Sequence, residues 1–311
     1  MTKGDRYFRE IVNRILAEGS MDVNPRPHYS DGTPAHTLSV DHVTCTYDLA
    51  AGESPFITLR PIAIKSAIGE LLWIYRDMSN DLDLLRDKYN ITWWDEWDIG
   101  DRTIGQCYGA TVRKWNLTEN LINDIKNDPD GRRHIINMWQ EDDFKQKHGL
   151  KPCAYQTVWN VRHVARRDPL AGGGLATRRA PSPEANLMRE SPCEEYEEYL
   201  DCCLFQRSSD YLTAGCINQL QYTAFLIAVA NHLGYKPGRF TWFVANVQIY
   251  DRHMEQAKEM LSRESIECSP SITVPSGKSF WDLEVDDFKV EGYPRDEIKA
   301  KNPQLKFDLG I

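Results

Sequence analysis

The segment that most limits how this chain can fold is GCINQLQYTAFLIAVANHLGY at 215–235, which carries no acidic or basic residue other than His232. A helix without a polar face has no side to give to water, so other elements have to enclose it. Around such a helix a layered core is required, and the rest of the chain offers material for one. Tyr7, Phe8, Ile11, Val12, Ile15 and Leu16 recur every three or four residues, the stripe of an amphipathic helix. SAIGELLWIYRDM (66–78) reads as a second helix, strongly apolar apart from Glu70. VDHVTCTYDL, after the turn-rich run 30–36, has the β-branched content of a strand, and AYQTVWNVRHV (154–164) and YLDCCLFQRS (199–208) read as paired strands. NLINDIKNDPDGRRHIINMW (120–139) predicts a helix stopped at Asp128-Pro129, then a turn and a strand. Helices and strands are both expected along the chain.

With 311 residues, 41% hydrophobic and 27% charged, the chain can bury a sizeable core, so disorder as a whole is excluded. A net charge of −9 without an extended basic block speaks against binding to a nucleic-acid backbone, so no DNA partner is expected. No stretch is expected to span a membrane and the N-terminus MTKGDRYFRE is charged, which predicts a cytoplasmic protein. Eight cysteines without a CxxC pair read as free thiols, and no metal is expected. Length and composition suit one large domain or two small ones, and the stretch 165–198, rich in Gly, Pro, Ala and mixed charge, has no hydrophobic period and is expected to be a flexible insertion extending a hairpin.

Several residues invite a chemical reading. Glu70 stands among Leu71, Leu72 and Trp73, where an unpaired carboxylate is costly, so a raised pKa or ordered water partners are expected. Cys153 follows a proline at a strand start; a lone strand cysteine is ordinarily a small buried hydrophobe. Arg132 and Arg133 form a pair that, taken alone, reads as a solvated turn. Trp94 and Trp97 suit core packing or the wall of a pocket, Tyr108 suits packing or catalysis, and Asn218 at a helix start suits a cap or a ligand.

Taken in order, ELLW (70–73), WDEW (94–97), YG (108–109), RR (132–133), PC (152–153), QRSSD (206–210), Asn218 and IYDRH (249–253) resemble the thymidylate synthase family along almost the whole chain, the 165–198 stretch excepted. That resemblance implies an α/β fold in one domain of residues 1–311, with a mixed sheet covered by helices on one face and by the same sheet of a second subunit on the other. It implies reductive methylation of dUMP at C5 with 5,10-methylenetetrahydrofolate, the thiolate of Cys153 adding to C6 of the uracil ring. Glu70, Tyr108 and Asn218 would serve proton transfer, with Tyr108 assisting removal of the C5 proton. Arg207, Ser208 and Gln206, with Arg26 as the nearest match in the first loop, would hold the nucleotide. Arg132 and Arg133 would reach into the partner's site of a homodimer. Asn218 would read the base, since its amide can donate to O4 and accept from N3–H, and Tyr250 would contact the sugar. Asp210, Trp94 and Trp97 would bind the folate, Asp210 also counting among the catalytic groups.

The chain departs from the commonest pattern at Ala154, Gln248, Asn246, Ala214 and the terminal FDLGI. Those departures touch sugar contacts and tail closure. A pyrimidine nucleotide hydroxymethylase of the same fold, or a silent nucleotide-binding homologue, are the rival readings. The products separate them, because only the methylation releases dihydrofolate.

Overall fold

A computed structural model describes residues 1–145, 150–165 and 196–310. In chain order the elements are α1 (Lys3–Glu18), β1 (Ser20–Met21), β2 (Thr37–Asp48), α2 (Ile64–Tyr75), α3 (Leu82–Tyr89), α4 (Gly109–Trp115), α5 (Leu117–Asn127) and β3 (His134–Asn137). There follow β4 (Ala154–Ala165), β5 (Tyr196–Asp210), α6 (Cys216–Leu233), β6 (Lys236–Tyr250), α7 (Met254–Ser262), β7 (Ser271–Thr273), β8 (Lys289–Glu291) and α8 (Arg295–Lys301).

Six strands form one mixed sheet in the order β1-β2-β6-β5-β4-β3. All neighbours are antiparallel except β5 and β6, which run parallel. The parallel pair follows from α6, which crosses over between them and packs on both. Leu200, Cys202 and Leu204 of β5 and Phe240, Trp242 and Val244 of β6 alternate toward the helices and are buried. Their neighbours Cys203, Phe205, Thr241 and Phe243 point to the opposite face and are half-buried. The adjacent Cys202 and Cys203 thus serve opposite faces of the sheet.

The expected helices and strands are present, with three adjustments. The segment Tyr211–Leu233 is, by length and composition alone, long and apolar enough to cross a membrane, contrary to the expectation above, but 78% of its most apolar window is buried inside the protein. It is the central core helix. Strand pairing also reaches further than expected: Ala165 pairs with Tyr196, and Glu197 and Glu198 with Val164 and His163, so both margins of the proposed 165–198 insertion are strand. The rest of that stretch lies outside the described residues. Finally, β6 was not anticipated as a strand, although it is the second central strand of the sheet and joins β2 to β5.

Candidate active site

The rim of the sheet where β4 begins and β5 ends brings several of the singled-out residues together. Cys153 immediately precedes β4 and is half-buried, its Sγ 3.6 Å from the Ser208 Oγ. Arg207 clamps that strand start: its Nε and Nη2 donate to the carbonyls of Pro152 and Lys151 at 3.1 and 3.0 Å, and its Nη1 donates to Ser208 Oγ at 3.1 Å. The Arg207 backbone N–H donates to the Cys153 carbonyl at 2.8 Å. A guanidinium has five N–H groups, so two remain for an anion.

Tyr108 closes the other side, its hydroxyl accepting the Cys153 backbone N–H at 3.0 Å. Local backbone geometry explains the Tyr-Gly pair. Tyr108 sits at φ 46°, and a Cβ on Gly109 would lie 2.0 Å from the Ser79 carbonyl oxygen, so only glycine lets α4 start here. Burial pushes the Tyr108 phenol well up.

Asn218, on the first turn of α6, belongs to a chain of amides whose sense is dictated by its ends. The Trp242 indole can only donate, and it donates to Gln206 Oε1 at 2.8 Å. Gln206 Nε2 then donates to the Ser208 carbonyl at 2.9 Å and to Asn218 Oδ1 at 3.1 Å. Asn218 Nδ2 donates to Gln221 Oε1 at 3.1 Å, leaving Asn218 one N–H and one lone pair for a ligand. The Gln221 Nε2 has no partner of regular geometry.

Glu70, on α2, is 6% exposed, and burial raises its pKa against the opposing pull of Gln221, Trp94 and Trp93. Trp93 Nε1 donates to its Oε2 at 2.5 Å. Trp94 rings Tyr108 and Trp97 at 5.4 and 5.5 Å, and its buried indole N–H lacks a partner of regular geometry.

Asp210, at the end of β5, is a second carboxylate held by a neutral donor, the Thr213 hydroxyl. Burial raises its pKa, against Thr213 and the nearby His253 and Arg60, and its Oδ1 is sealed from solvent without a partner. Tyr250 is buried, and burial followed by the charges of Asp210 and Cys153 pushes its phenol up to about 12, with Arg26 pulling the other way. Its hydroxyl donates to the Gly310 carbonyl, so the terminal segment lies over this corner. Arg26 itself is exposed.

Arg132 and Arg133 stand apart. They are exposed and precede β3, where His134 pairs with Trp159, six residues from Cys153 or about 20 Å along the strand. Of the departures noted, Asn246 donates to Asp41 at 3.2 Å, and Ala154 is buried in the strand beside the thiol.

Sequence reasoning did not single out Trp93, Gln221 or Trp242. The first was signalled by a tryptophan doublet and the second by a glutamine inside an otherwise apolar helix.

A six-stranded mixed sheet backed by helices, with a half-buried thiol and arginine, a buried glutamate and a half-buried aspartate as candidate site groups, defines the class as an α/β enzyme. The sequence profile of the thymidylate synthase family matches residues 6–303. Thymidylate synthases of Streptococcus gordonii and Streptococcus pneumoniae are 42% and 43% identical to the chain over 314 residues, covering all of both proteins. The solved structure of the thermostable thymidylate synthase A from Bacillus subtilis superposes with a TM-score of 0.78 at 27% identity, covering 99% of each chain. The chain belongs to the thymidylate synthase family. The synthase names of these relatives do not favour the hydroxymethylase alternative.

Proposed function

We propose that the protein converts dUMP to dTMP, taking the one-carbon unit and the hydride from 5,10-methylenetetrahydrofolate. The observation that carries this reading is the joining of the thiol corner to the base-reading corner through Ser208: its hydroxyl faces Cys153 Sγ and its carbonyl fixes the Gln206–Asn218 chain. A pyrimidine lying on the Cys153 sulfur therefore presents its O4 and N3 edge to Asn218. The fixed amide offers O4 a donor and N3–H an acceptor, the pattern of uracil and the inverse of cytosine.

In this reading Cys153 adds to C6, making C5 nucleophilic, and leaves again as the product forms. Arg207, Ser208 and Arg26, with Gln206 behind them, meet the nucleotide phosphate and Tyr250 the sugar, while the phosphate charge calls for guanidinium forks on so acidic a protein. Tyr108 assists removal of the C5 proton, its neutral hydroxyl orienting a water that takes the proton away. Glu70 exchanges a proton with the O4 side of the ring, and its raised pKa suits that task.

The folate fits the residues present. It supplies the methylene carbon and the hydride. The unpartnered Oδ1 of Asp210 suits the N–H edge of a pterin, and Trp94 and Trp97 form an aromatic wall for its rings. The half-buried outer face of the sheet, with Phe205 and Phe243 5.7 Å apart, suits a second copy of the chain, which would bring its own Arg132 and Arg133 to this site. A cytoplasmic location and one domain spanning 1–311 accord with this reading.

The test is a spectrophotometric assay for dihydrofolate with dUMP and dCMP offered separately. Dihydrofolate should form with dUMP and not with dCMP; a methylation-free turnover yielding tetrahydrofolate would refute the assignment.

A further inference from the structure

Of the two oxygens of Glu70, Oε2 is the one that receives a hydrogen bond of regular geometry among the described residues. Trp93 Nε1 donates to Oε2 at 2.5 Å, from a half-buried ring one residue before Trp94. An indole N–H neither accepts a hydrogen bond nor ionises in the working range, so the oxygen it holds keeps its lone pair engaged in either protonation state. The other groups that act on Glu70 are neutral too: the Gln221 amide from α6 and the Trp94 indole. The titratable neighbour that feels its charge is Tyr222 of α6, a phenol itself pushed up by burial. Tyr108, before α4, is likewise held neutral by burial. The charges further along α2 and on the elements packed there, Arg76, Asp77, Lys88 and Glu284, pair with one another.

We propose that Trp93 is a positioning residue for the proton transfer: its indole N–H pins Oε2 of Glu70, so that Oε1 alone gives and takes the proton. This rests on the reading of Glu70 as the acid/base group. No electron moves in the step; one O–H bond at Oε1 forms or breaks, its proton coming from or going to water beside O4. With Oε2 pinned, the carboxyl plane is fixed and each turnover finds the same oxygen facing the ring. Freed of the indole, the carboxyl group rotates, and the ionised form loses a donor that neither Gln221 nor Trp94 replaces with regular geometry.

The test compares the pH profile of kcat/KM for dUMP in the unaltered protein, in Glu70→Gln, and in Trp93→Phe, which keeps an aromatic ring and removes the N–H. The limb that vanishes in Glu70→Gln belongs to Glu70. In Trp93→Phe that limb should move up by about one unit, since a donor to a charged group is lost, while kcat near neutrality falls about tenfold and KM for dUMP stays within about twofold. If Trp93→Phe fails to fold, 3-benzothienylalanine at position 93 removes the N–H while preserving the shape, with the same expectation. An unmoved limb, or a change confined to KM for the folate, would make Trp93 a pocket wall and overturn this role alone. Absence of dihydrofolate formation by the unaltered protein would instead remove the reaction and this role together.

Discussion

Glu70 and Asp77 lie seven residues apart on and just beyond α2, and both carboxylates are drawn out of water, yet they are held in opposite ways. Asp77 receives Arg76 Nε at 2.8 Å, Lys88 Nζ at 3.2 Å and the Tyr89 hydroxyl at 2.6 Å. Burial works against its charge, but the hydrogen bonds and charge of Arg76, with Tyr89 and Lys88, hold its pKa below the ordinary carboxylate range. Glu70 meets only neutral indoles and an amide, and burial wins. A carboxylate that joins elements is locked in its charged form by cations, whereas one that exchanges protons needs neutral donors that leave both forms within reach. Asp210 lies between the two, its donor the neutral Thr213 hydroxyl but with His253 and Arg60 pulling on its charge.

That contrast can be broken most visibly by exchanging charge for amide at each position. Glu70→Gln should lower kcat by about 10²–10⁴-fold while the protein stays folded, measured by dihydrofolate formation and thermal unfolding. If activity survives, the neutral cage around Glu70 is packing alone. Asp77→Asn should do the reverse. It leaves the buried Arg76 guanidinium with Glu284 as its remaining carboxylate at 3.1 Å, and should cost about 2 kcal/mol in chemical denaturation, with kcat of the folded fraction within about twofold.

The smallest effect sharpens the comparison through pH. The folded pKa of Glu70 lies above its unfolded value, so between the two the native state binds more protons and stability falls as pH rises. For Asp77 the folded value is depressed, so its stabilisation is present above the unfolded pKa and is lost as pH falls toward the folded one. Melting temperatures across pH should show Glu70→Gln gaining on the unaltered protein as pH rises above the ordinary carboxylate value. The deficit of Asp77→Asn should shrink as pH falls below it. Parallel curves for the two variants would erase the distinction.

Much of this frame was legible because the signals were local. The 215–235 segment, without charge apart from His232, announced the core helix, β-branched and aromatic content announced β4 and β5, and a glutamate among leucines announced a perturbed carboxylate. Strand β6 was harder to read because FTWFVANVQIY lacks clean alternation: its sheet neighbours on one side cover half-buried aromatics such as Phe243, and the alternation slips between Val244 and Val247. The margins at 165 and 196–198 are mostly exposed strand ends, where pairing is long-range and leaves no periodic trace. Trp93 and Trp242 escaped notice because a tryptophan reads as bulk in a sequence. Only the direction of its N–H, set by tertiary packing, reveals that it holds Glu70 or fixes an amide.

The account stands on the sulfur of Cys153 bonding to a pyrimidine ring. Mass spectrometry of the protein incubated with 5-fluoro-dUMP and 5,10-methylenetetrahydrofolate tests this directly. A stable adduct is predicted on the peptide that contains Cys153, and none in Cys153→Ser. No adduct in the unaltered protein, or one carried by a different cysteine, would contradict it.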